Sequence, residues 1–405
     1  MKQLTSLRLS DLWKEVKSQE ALWGDLKLET KEYLKMLIQN ILREEQTHYL
    51  ACARYERDED RVDFRNGYYA RDIESSMGLI KDIKVPRNRI TSYESILFKK
   101  YKRKEISLIQ LIKDAFLSGL STRKVGEVFE TILGYKISPT TVSNIAKSLD
   151  GAVRAYHTKN IEDRYAYLFL DGITLKIKSL AARNKKVILV AYGITASGIK
   201  EIIAFKIASS ESELEWYIFV DSLYRRGLAG KNLNLVIIDG APALMLAAGT
   251  VYPFCPIQRC WVHKLRNVAS KLPKKGADSC LGAAKKIYQA ASRQDASAIY
   301  KNWVATYSDK YPKAVACLGR DIDSLLTFFD FGQPVRIKIR TTNIIERSFR
   351  EVRRRTRPIG CFENDSSVNR IIFGVISGLN KNWESKPLKE ITQLRACCQT
   401  PNNPV

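Results

Sequence analysis

With 405 residues, 45% of them apolar, the chain can bury a sizeable core, and its formal net charge of +24 draws it towards polyanions, of which DNA and RNA are the commonest. No run of about 18 apolar residues is present, so a membrane-spanning helix is not expected, and the opening MKQLTSLRLSDLWKEVKSQE lacks the apolar core and cleavage site of a secretory leader. Eight scattered cysteines, including the adjacent pair Cys397-Cys398, read as reduced thiols of a cytoplasmic protein rather than a disulfide framework.

Residues 1–55 interleave charges with Leu34, Met36, Leu37, Ile38, Ile41 and Leu42, the pattern of an amphipathic helix. A polar stretch at 56–70 follows. Residues 76–87 alternate apolar and charged side chains, with Gly78 and Pro86 as bounds, and predict a short strand. The basic run 99–104 is either a solvated face or a hold for phosphates. Residues 106–149 predict three helices. The first carries Leu108, Ile109, Leu111, Ile112 and Phe116 and breaks at Gly119. Ser121 caps the second, whose apolar face is Val125, Val128, Phe129 and Ile132, and Gly134 stops it. Ser138 caps the third, with Pro139 at its first position, where the missing N–H costs nothing. That helix is expected to bury Val142, Ile145 and Leu149 and to expose Thr140, Thr141, Ser143, Asn144 and Lys147. Short polar side chains near a helix N-terminus can reach base edges and phosphates in a major groove. The segment is therefore a candidate helix-turn-helix, although an ordinary three-helix packing unit has the same pattern.

From residue 165 the texture becomes α/β. Apolar strands are expected at 166–170, 187–192 and 202–207, the last two joined by a turn at 196–198. An amphipathic helix follows at 210–226, then a buried strand at 233–238. Residues 276–330 predict helices alone, for example 283–292 and 296–307, and a long basic helix spans 342–355.

Two of these strands end alike, in Leu168-Phe169-Leu170-Asp171-Gly172 and Val236-Ile237-Ile238-Asp239-Gly240. A carboxylate just past a buried strand lies where α/β sheets place their ligand crevices, and the glycine after it permits a sharp turn or a close approach. Carboxylates sharing one site repel unless a divalent cation lies between them. Hard oxygen donors suit Mg²⁺ or Mn²⁺, and a pair of such ions about 4 Å apart suits in-line phosphoryl displacement. A third ligand is available in Thr341-Thr342-Asn343-Ile344-Ile345-Glu346-Arg347. Thr342 or Asn343 would cap a helix, placing Glu346 near its positive end. Taken alone, Glu346 reads as a capping residue. Arg350, Arg353, Arg354, Arg355 and Arg357 follow, a density of like charge that phosphates would neutralise.

Three segments, FLDGITLKIK at 169–178, VIIDGAPALMLAAGTVYPFCPIQRCWVHKLRNV at 236–268 and TTNIIERSFREVRRRTRPIGCF at 341–362, give the chain a family likeness. FRNGYYAR at 64–71, IKVPRNR at 83–89 and GLSTRKVGEVF at 119–129 add to it. The chain resembles bacterial insertion-sequence transposases of the IS256 group, relatives of the Mutator class, from about residue 60 onward. The resemblance implies an RNase H-like catalytic core whose acidic triad maps onto Asp171, Asp239 and Glu346, with an all-α insertion between the second and third acids. It implies metal-dependent strand cleavage and transfer at the inverted repeats that end such elements. Cys260 and His263 match the family's C-x-x-H pair, which lies close to the active site; both are expected as accessory residues there. From the residues alone, that pair is weak zinc spacing or a packed helix start. Lys264, Arg266 and Asn267 are expected phosphate contacts, with Arg350, Arg353 and Arg354. Family members commonly read Phe-Pro after the glutamate helix, where this chain has Cys361-Phe362-Glu363-Asn364.

The expected architecture is therefore α/β. A helical region at 1–60 and a mainly helical DNA-binding region at 61–150 precede the core. The RNase H-like core occupies 151–270 and 336–405, interrupted by the helical insertion at 271–335. The expected cofactor is a pair of Mg²⁺ or Mn²⁺ ions, and the expected partners are terminal-repeat and target DNA. A homo-oligomer is expected, most simply a dimer holding both element ends in the cytoplasm, at the nucleoid. A DNA-binding regulator with a dead active site and a nuclease that cuts without joining are the competing readings. No P-loop, H-E-x-x-H or dinucleotide-binding glycine pattern is present.

Overall fold

Five strands, most of them near-unbroken apolar runs, form one mixed sheet. In the computed structural model, which describes residues 18–56, 62–91, 95–97, 104–175, 186–273, 277–357 and 364–392, β3 (Tyr165–Leu175), β4 (Lys186–Thr195) and β5 (Lys200–Ala208) are antiparallel neighbours. On the other side of β3, the short β6 (Leu235–Ile238) and β7 (Ile257–Arg259) join in parallel, giving the order β5-β4-β3-β6-β7. Strands covered on both faces carry apolar side chains at successive positions, and β4 is buried from Val187 through Thr195. One face packs against α6 (Glu213–Arg225) and α7 (Pro242–Val251), where Trp216, Phe219, Leu223, Leu244 and Ala248 meet Leu168, Leu170, Val236 and Ile238. Phe169 points the other way, edge-on to Tyr192, which in turn meets Trp383.

The free edge of β5 is covered rather than left open. Asn380 of α15 (Asp365–Trp383) accepts from the Ile202 N–H at 2.9 Å and donates to its carbonyl at 3.1 Å. The Tyr156 hydroxyl of α5 (Asp150–Thr158) donates to the same carbonyl. Side chains thus satisfy backbone groups that an exposed edge would offer to another strand. The short strand β7 is pinned by the buried Gln258, whose amide donates to Leu325 and accepts from the Phe328 N–H. After β7 the chain is helical: α8 (Trp261–Ala269), α9 (Ala277–Gln289), α10 (Arg293–Tyr307), α11 (Pro312–Gly319), α12 (Ile322–Leu326), a 3₁₀ turn at Thr327–Asp330, α13 (Gln333–Ile339) and α14 (Asn343–Thr356).

The chain divides into two compact units, one comprising residues 1–116 and 120–146, the other 117–119 and 147–405. The helices between 277 and 339 belong to the same unit as the sheet. In the first unit, α1 (Gln19–Leu50) lies on the hairpin of β1 (Arg65–Ser75) and β2 (Gly78–Asn88), with Leu42, Ile73, Ile80, Ile83 and Val85 as its core. The polar stretch at 56–70 runs, from Arg65, into the first strand of this hairpin. Gly78 opens β2 at φ 111°, and Pro86 lies within β2, opposite Tyr68, where a two-stranded sheet leaves an outer side free of ladder bonds. The helices α2 (Ile106–Leu117), α3 (Thr122–Leu133) and α4 (Pro139–Lys147) follow. Ser121 and Ser138 cap as expected, accepting from the N–H groups of Lys124 and Thr141, and Gly134 ends α3 in the left-handed region. Two details differ. Helix α3 buries Leu133 while Ile132 is exposed, and α4 buries Val142 and Ala146 while Ile145 and Leu149 are half-buried. Among the described residues no helix is long and apolar enough to cross a membrane.

One buried cation ties α5 to α15. The Arg370 guanidinium, 6% exposed, donates to both carboxylate oxygens of Asp150 at 2.6 and 2.9 Å. Arg370 holds the Asp150 carboxyl below the usual aspartate range. Asp150→Ala is expected to lower the unfolding free energy by roughly 1.5–3 kcal/mol, the worth of a charged hydrogen-bonded pair. Because the folded pKa is depressed, this contribution is complete above the unfolded value of about 4 and fades as pH falls through the folded value. Urea titrations of both proteins at pH 7 and pH 3 measure it, with the smaller difference expected at pH 3.

Candidate active site

The parallel register of β3 and β6 sets the site. Leu170 pairs with Ile238, the last residue of β6, so Asp171 and Asp239 are both one step beyond that pair on neighbouring strands. Asp171 does not end its strand. β3 continues to Leu175, paired with β4, while β6 stops, leaving Asp171 at the opening where its neighbour has turned away. The two glycines then serve different purposes. Gly240 sits at φ +89° and a Cβ there would lie 2.0 Å from Arg259 Nε, so only glycine makes this turn. Gly172 stays in the strand, and its missing Cβ makes room for Glu211, whose Oε1 would lie 2.6 Å from such an atom.

Asp171 is 3% exposed. Burial and the Asp239 carboxylate push it up to about 7, against the pull of His263 and a hydrogen bond from Thr342. Asp239 accepts from the Ala241 N–H at 2.9 Å, which fixes its carboxylate across the turn. Glu211, in the loop before α6, is also raised by burial and by Asp239. This fourth acid was not expected. Placing the helix start at 210 hid it; the capping sequence Ser212-Glu213-Leu214-Glu215, in which Ser212 accepts from the Glu215 N–H, would have moved the start to 213 and left Glu211 in a loop beside the strand ends.

Helices α8 and α14 deliver the remaining groups. The Cys260 N–H donates to Ile238 and the Trp261 N–H to Arg340, so the start of α8 is joined both to the end of β6 and to the segment leading into α14. Cys260 and Trp261 are buried, as a packed helix start requires, while His263 one turn on faces the acids. His263 Nε2 lies 3.6 Å from Glu346 Oε1, and Arg266 donates to the same oxygen at 3.2 Å. A hydrogen bond with Cys260 and the nearness of Asp171 and Asp239 push His263 up to about 9, against the opposing effect of burial. Glu346 occupies the first turn of α14, as expected. Thr342, fully buried at the cap position, does not cap. Its N–H donates to Cys260 Sγ and its hydroxyl faces Cys260 and His263 Nδ1. Among the described residues no three His, Cys, Asp or Glu side chains, as placed, form a group able to hold a metal ion, and Glu346 meets Arg266 and His263.

A model of the family described as "Transposase, Mutator family" matches residues 8–386. The chain belongs to the Mutator family of transposases. It is 31% identical to the transposase of insertion sequence element ISRM5 from Rhizobium meliloti, over 87% of this chain and 88% of that one. It is 33% identical to the transposase of insertion sequence element IS256 in transposon Tn4001 from Staphylococcus aureus, over 87% and 90%. The Drosophila P element transposase strand transfer complex aligns with 73% of this chain and 84% of its own at 12% identity and a TM-score of 0.30, too loose a likeness to carry the fold.

As a transposase the chain is an enzyme that cuts and transfers DNA. Of the cationic residues expected on DNA, Arg266, Arg350 and Arg354 of this Mutator-family chain are exposed and Arg353 is half-buried. On α4, Thr140, Asn144 and Lys147 are exposed, while Thr141 and Ser143 are half-buried, Thr141 being engaged in the cap by Ser138. Of the basic run at 99–104 only Lys104 lies within the described residues, ion-paired with Glu74, and Cys361, Phe362 and Glu363 lie outside them. Lys264 is a correction. It is 2% exposed and its ammonium is paired with Asp321, which also holds Arg259 at 2.5 Å. A cation consumed by a buried carboxylate is not a phosphate contact. Lys264→Met is expected to cost roughly 1–3 kcal/mol of stability, since Asp321 keeps Arg259 as a partner. It should leave the salt dependence of DNA binding unchanged, and binding isotherms across a salt series check this. A flatter slope would return Lys264 to the phosphate contacts.

Proposed function

We propose that this transposase is a DDE-type enzyme that cuts and joins DNA at the ends of an insertion sequence, with Asp171, Asp239 and Glu346 as its acidic triad. The observation that carries the reading is the β3–β6 register, which sets two aspartates at equivalent positions on neighbouring strands, close to His263, which in turn meets Glu346. The sheet order, three antiparallel strands followed by two parallel ones, with a helical segment between Asp239 and Glu346, supports an RNase H-like core. Asp171 and Asp239 offer hard oxygen donors whose mutual repulsion a divalent cation relieves, which fits Mg²⁺ or Mn²⁺. When bound, such ions supply charge neutralisation at the attacking and leaving oxygens of a phosphoryl displacement. Asp171, Asp239 and Glu346 would hold such ions, Glu346 giving up its contact with Arg266 to do so.

The protein's own groups then divide the remaining work. His263, raised by its hydrogen bond with Cys260, stands beside the triad as a hydrogen-bond donor to a phosphate oxygen, and Thr342 meets its ring at Nδ1. Arg266, Arg350 and Arg354 present charge to the backbone of the bound strand. The exposed face of α4 reads the element ends through Asn144 and Thr140. Two ends must be handled together, so the enzyme acts as a dimer on paired ends. The exposed Trp23, Leu28, Met36 and Ile41 of α1 supply apolar surface for it.

Asp171→Asn, Asp239→Asn and Glu346→Gln are each expected to lower cleavage of end DNA at least about 100-fold in Mg²⁺, the scale set by loss of a group that stabilises developing charge. Gel shifts on the same DNA should show near-native binding for these three and, for Asn144→Ala, a lost preference for end over random duplex. Near-native cleavage by any acidic variant removes that residue from the triad, and an unchanged preference in Asn144→Ala removes α4 from end recognition.

A further inference from the structure

A cavity of about 700 Å³ opens on neighbouring faces of α8 and α14, beside the acidic cluster. Its size is that of a small-molecule site, roughly 300–1,000 Å³. Two kinds of side chain share its walls. Tyr288 of α9 and Trp383 at the end of α15 are half-buried aromatics, with Val262, Leu265 and Ile337 between them. Each aromatic carries a cation. Lys200 Nζ lies 5.4 Å from the Trp383 ring centre, and the Arg340 guanidinium 4.8 Å from that of Tyr288. Arg347 adds a third, exposed charge. Among the described residues no carboxylate is within ion-pairing distance of Lys200, Arg340 or Arg347. Burial and the like charge of Lys338 push Lys200 below the ordinary lysine range against the pull of Glu390, and the carboxylate on the cavity wall among the described residues, Glu351, is taken by Arg355.

Two polar groups there also lack partners. Tyr192, fully buried against the cavity, has a hydroxyl with no hydrogen bond. Buried hydroxyls are nearly always satisfied, and this one is an exception at the cavity wall. The amide of Asn343, half-buried at the start of α14, forms no hydrogen bond within the described residues. An anion alone does not call for aromatic walls, and an apolar ligand does not call for cations. A nucleobase with its phosphate uses both, by stacking on the rings, ion pairing with the cations, and hydrogen bonding of its edge to amide and hydroxyl.

Position names the source. Val262 adjoins His263, and Arg347 adjoins Glu346, in sequence and hence within about 3.8 Å between Cα atoms. We propose that this cavity receives one unpaired nucleobase and its phosphate from the DNA strand next to the phosphate that is cut. The proposal rests on reading the acidic cluster as the cutting site. Its gain is a strand end anchored at two points, with unstacking cheapest where a duplex is already nicked or frayed.

The test is a binding measurement in EDTA, where cutting plays no part, so its outcome is separable from that of the triad variants. The full chain is titrated into two duplexes, one with a 2-aminopurine paired to thymine, the other with it opposite an abasic site, and in a third arm into free dAMP. The expected result is quenching of the unpaired 2-aminopurine and about tenfold tighter binding of that duplex, with dAMP binding far more weakly. Trp383→Ala should abolish quenching and preference, and Trp383→Phe, which keeps a stacking face, should restore them. Lys200→Gln, which removes the charge over the Trp383 ring, should weaken the preference severalfold. Equal affinity for the two duplexes in the wild type, or a preference unchanged in both Trp383→Ala and Lys200→Gln, overturns the proposal. Binding of dAMP as tight as that of the unpaired duplex overturns the DNA source in favour of a free nucleotide.

Discussion

Everything at the site depends on one buried carboxylate, Asp171, set beside a half-buried one, Asp239. The β3–β6 pairing places Asp171 and Asp239 at equivalent positions on adjacent parallel strands, and neither can move away without breaking that register. With burial and Asp239 raising Asp171 to about 7, keeping its carboxylate ionised at neutral pH costs the fold on the order of 4 kcal/mol. The sign follows from the direction of the shift. A raised carboxyl penalises the folded state above its folded pKa and not below its unfolded one, so the penalty is present at physiological pH. A sheet that retains this arrangement is holding a pair of charges for something that compensates them.

The surrounding cations form two separate sets. Arg259 and Lys264 both pair with Asp321, which locks β7 and α8 to the helical segment and keeps both cations largely buried. His263 and Arg266, by contrast, meet Glu346 at the mouth of the site. Arg266 is well exposed there, so its hold on Glu346 is screened and weak, on the scale of surface pairs at roughly 0–1 kcal/mol. A contact of that strength is easily exchanged when the aspartates are compensated. The same short stretch of α8 therefore carries a buried structural cation and an exposed working one, two residues apart.

Much of this was legible in the sequence, for local reasons. The apolar runs ending in Asp171-Gly172 and Asp239-Gly240 declared both strands and both acids, because buried strands tolerate a carboxylate only where the pairing ends or a ligand waits. The basic helix with Glu346 in its first turn was equally local, as were the caps at Ser121 and Ser138. What escaped depended on distant partners. Lys264 looks like its neighbours Arg266 and Asn267 until Asp321, 57 residues on, is known to meet it. Thr342 reads as a cap, but Cys260 and His263 claim its hydrogen bonds. β7, Ile257–Arg259, is too short for any periodicity and exists because β6 and the buried Gln258 hold it. Glu211 needed the correct helix start, one turn of sequence that the amphipathic pattern blurred.

The central claim is that the aspartate pair and Glu346 together hold divalent cations. Iron-mediated cleavage of the protein tests it most directly. With Fe²⁺ in place of Mg²⁺, in ascorbate and peroxide, hydroxyl radicals cut the backbone close to the bound metal. The account predicts cuts beside Asp171, Asp239 and Glu346, suppressed by excess Mg²⁺ and lost in the Asp171→Asn/Asp239→Asn double variant. Cuts centred on Cys260 and His263 that survive in the double variant, or none near the three acids, would contradict it.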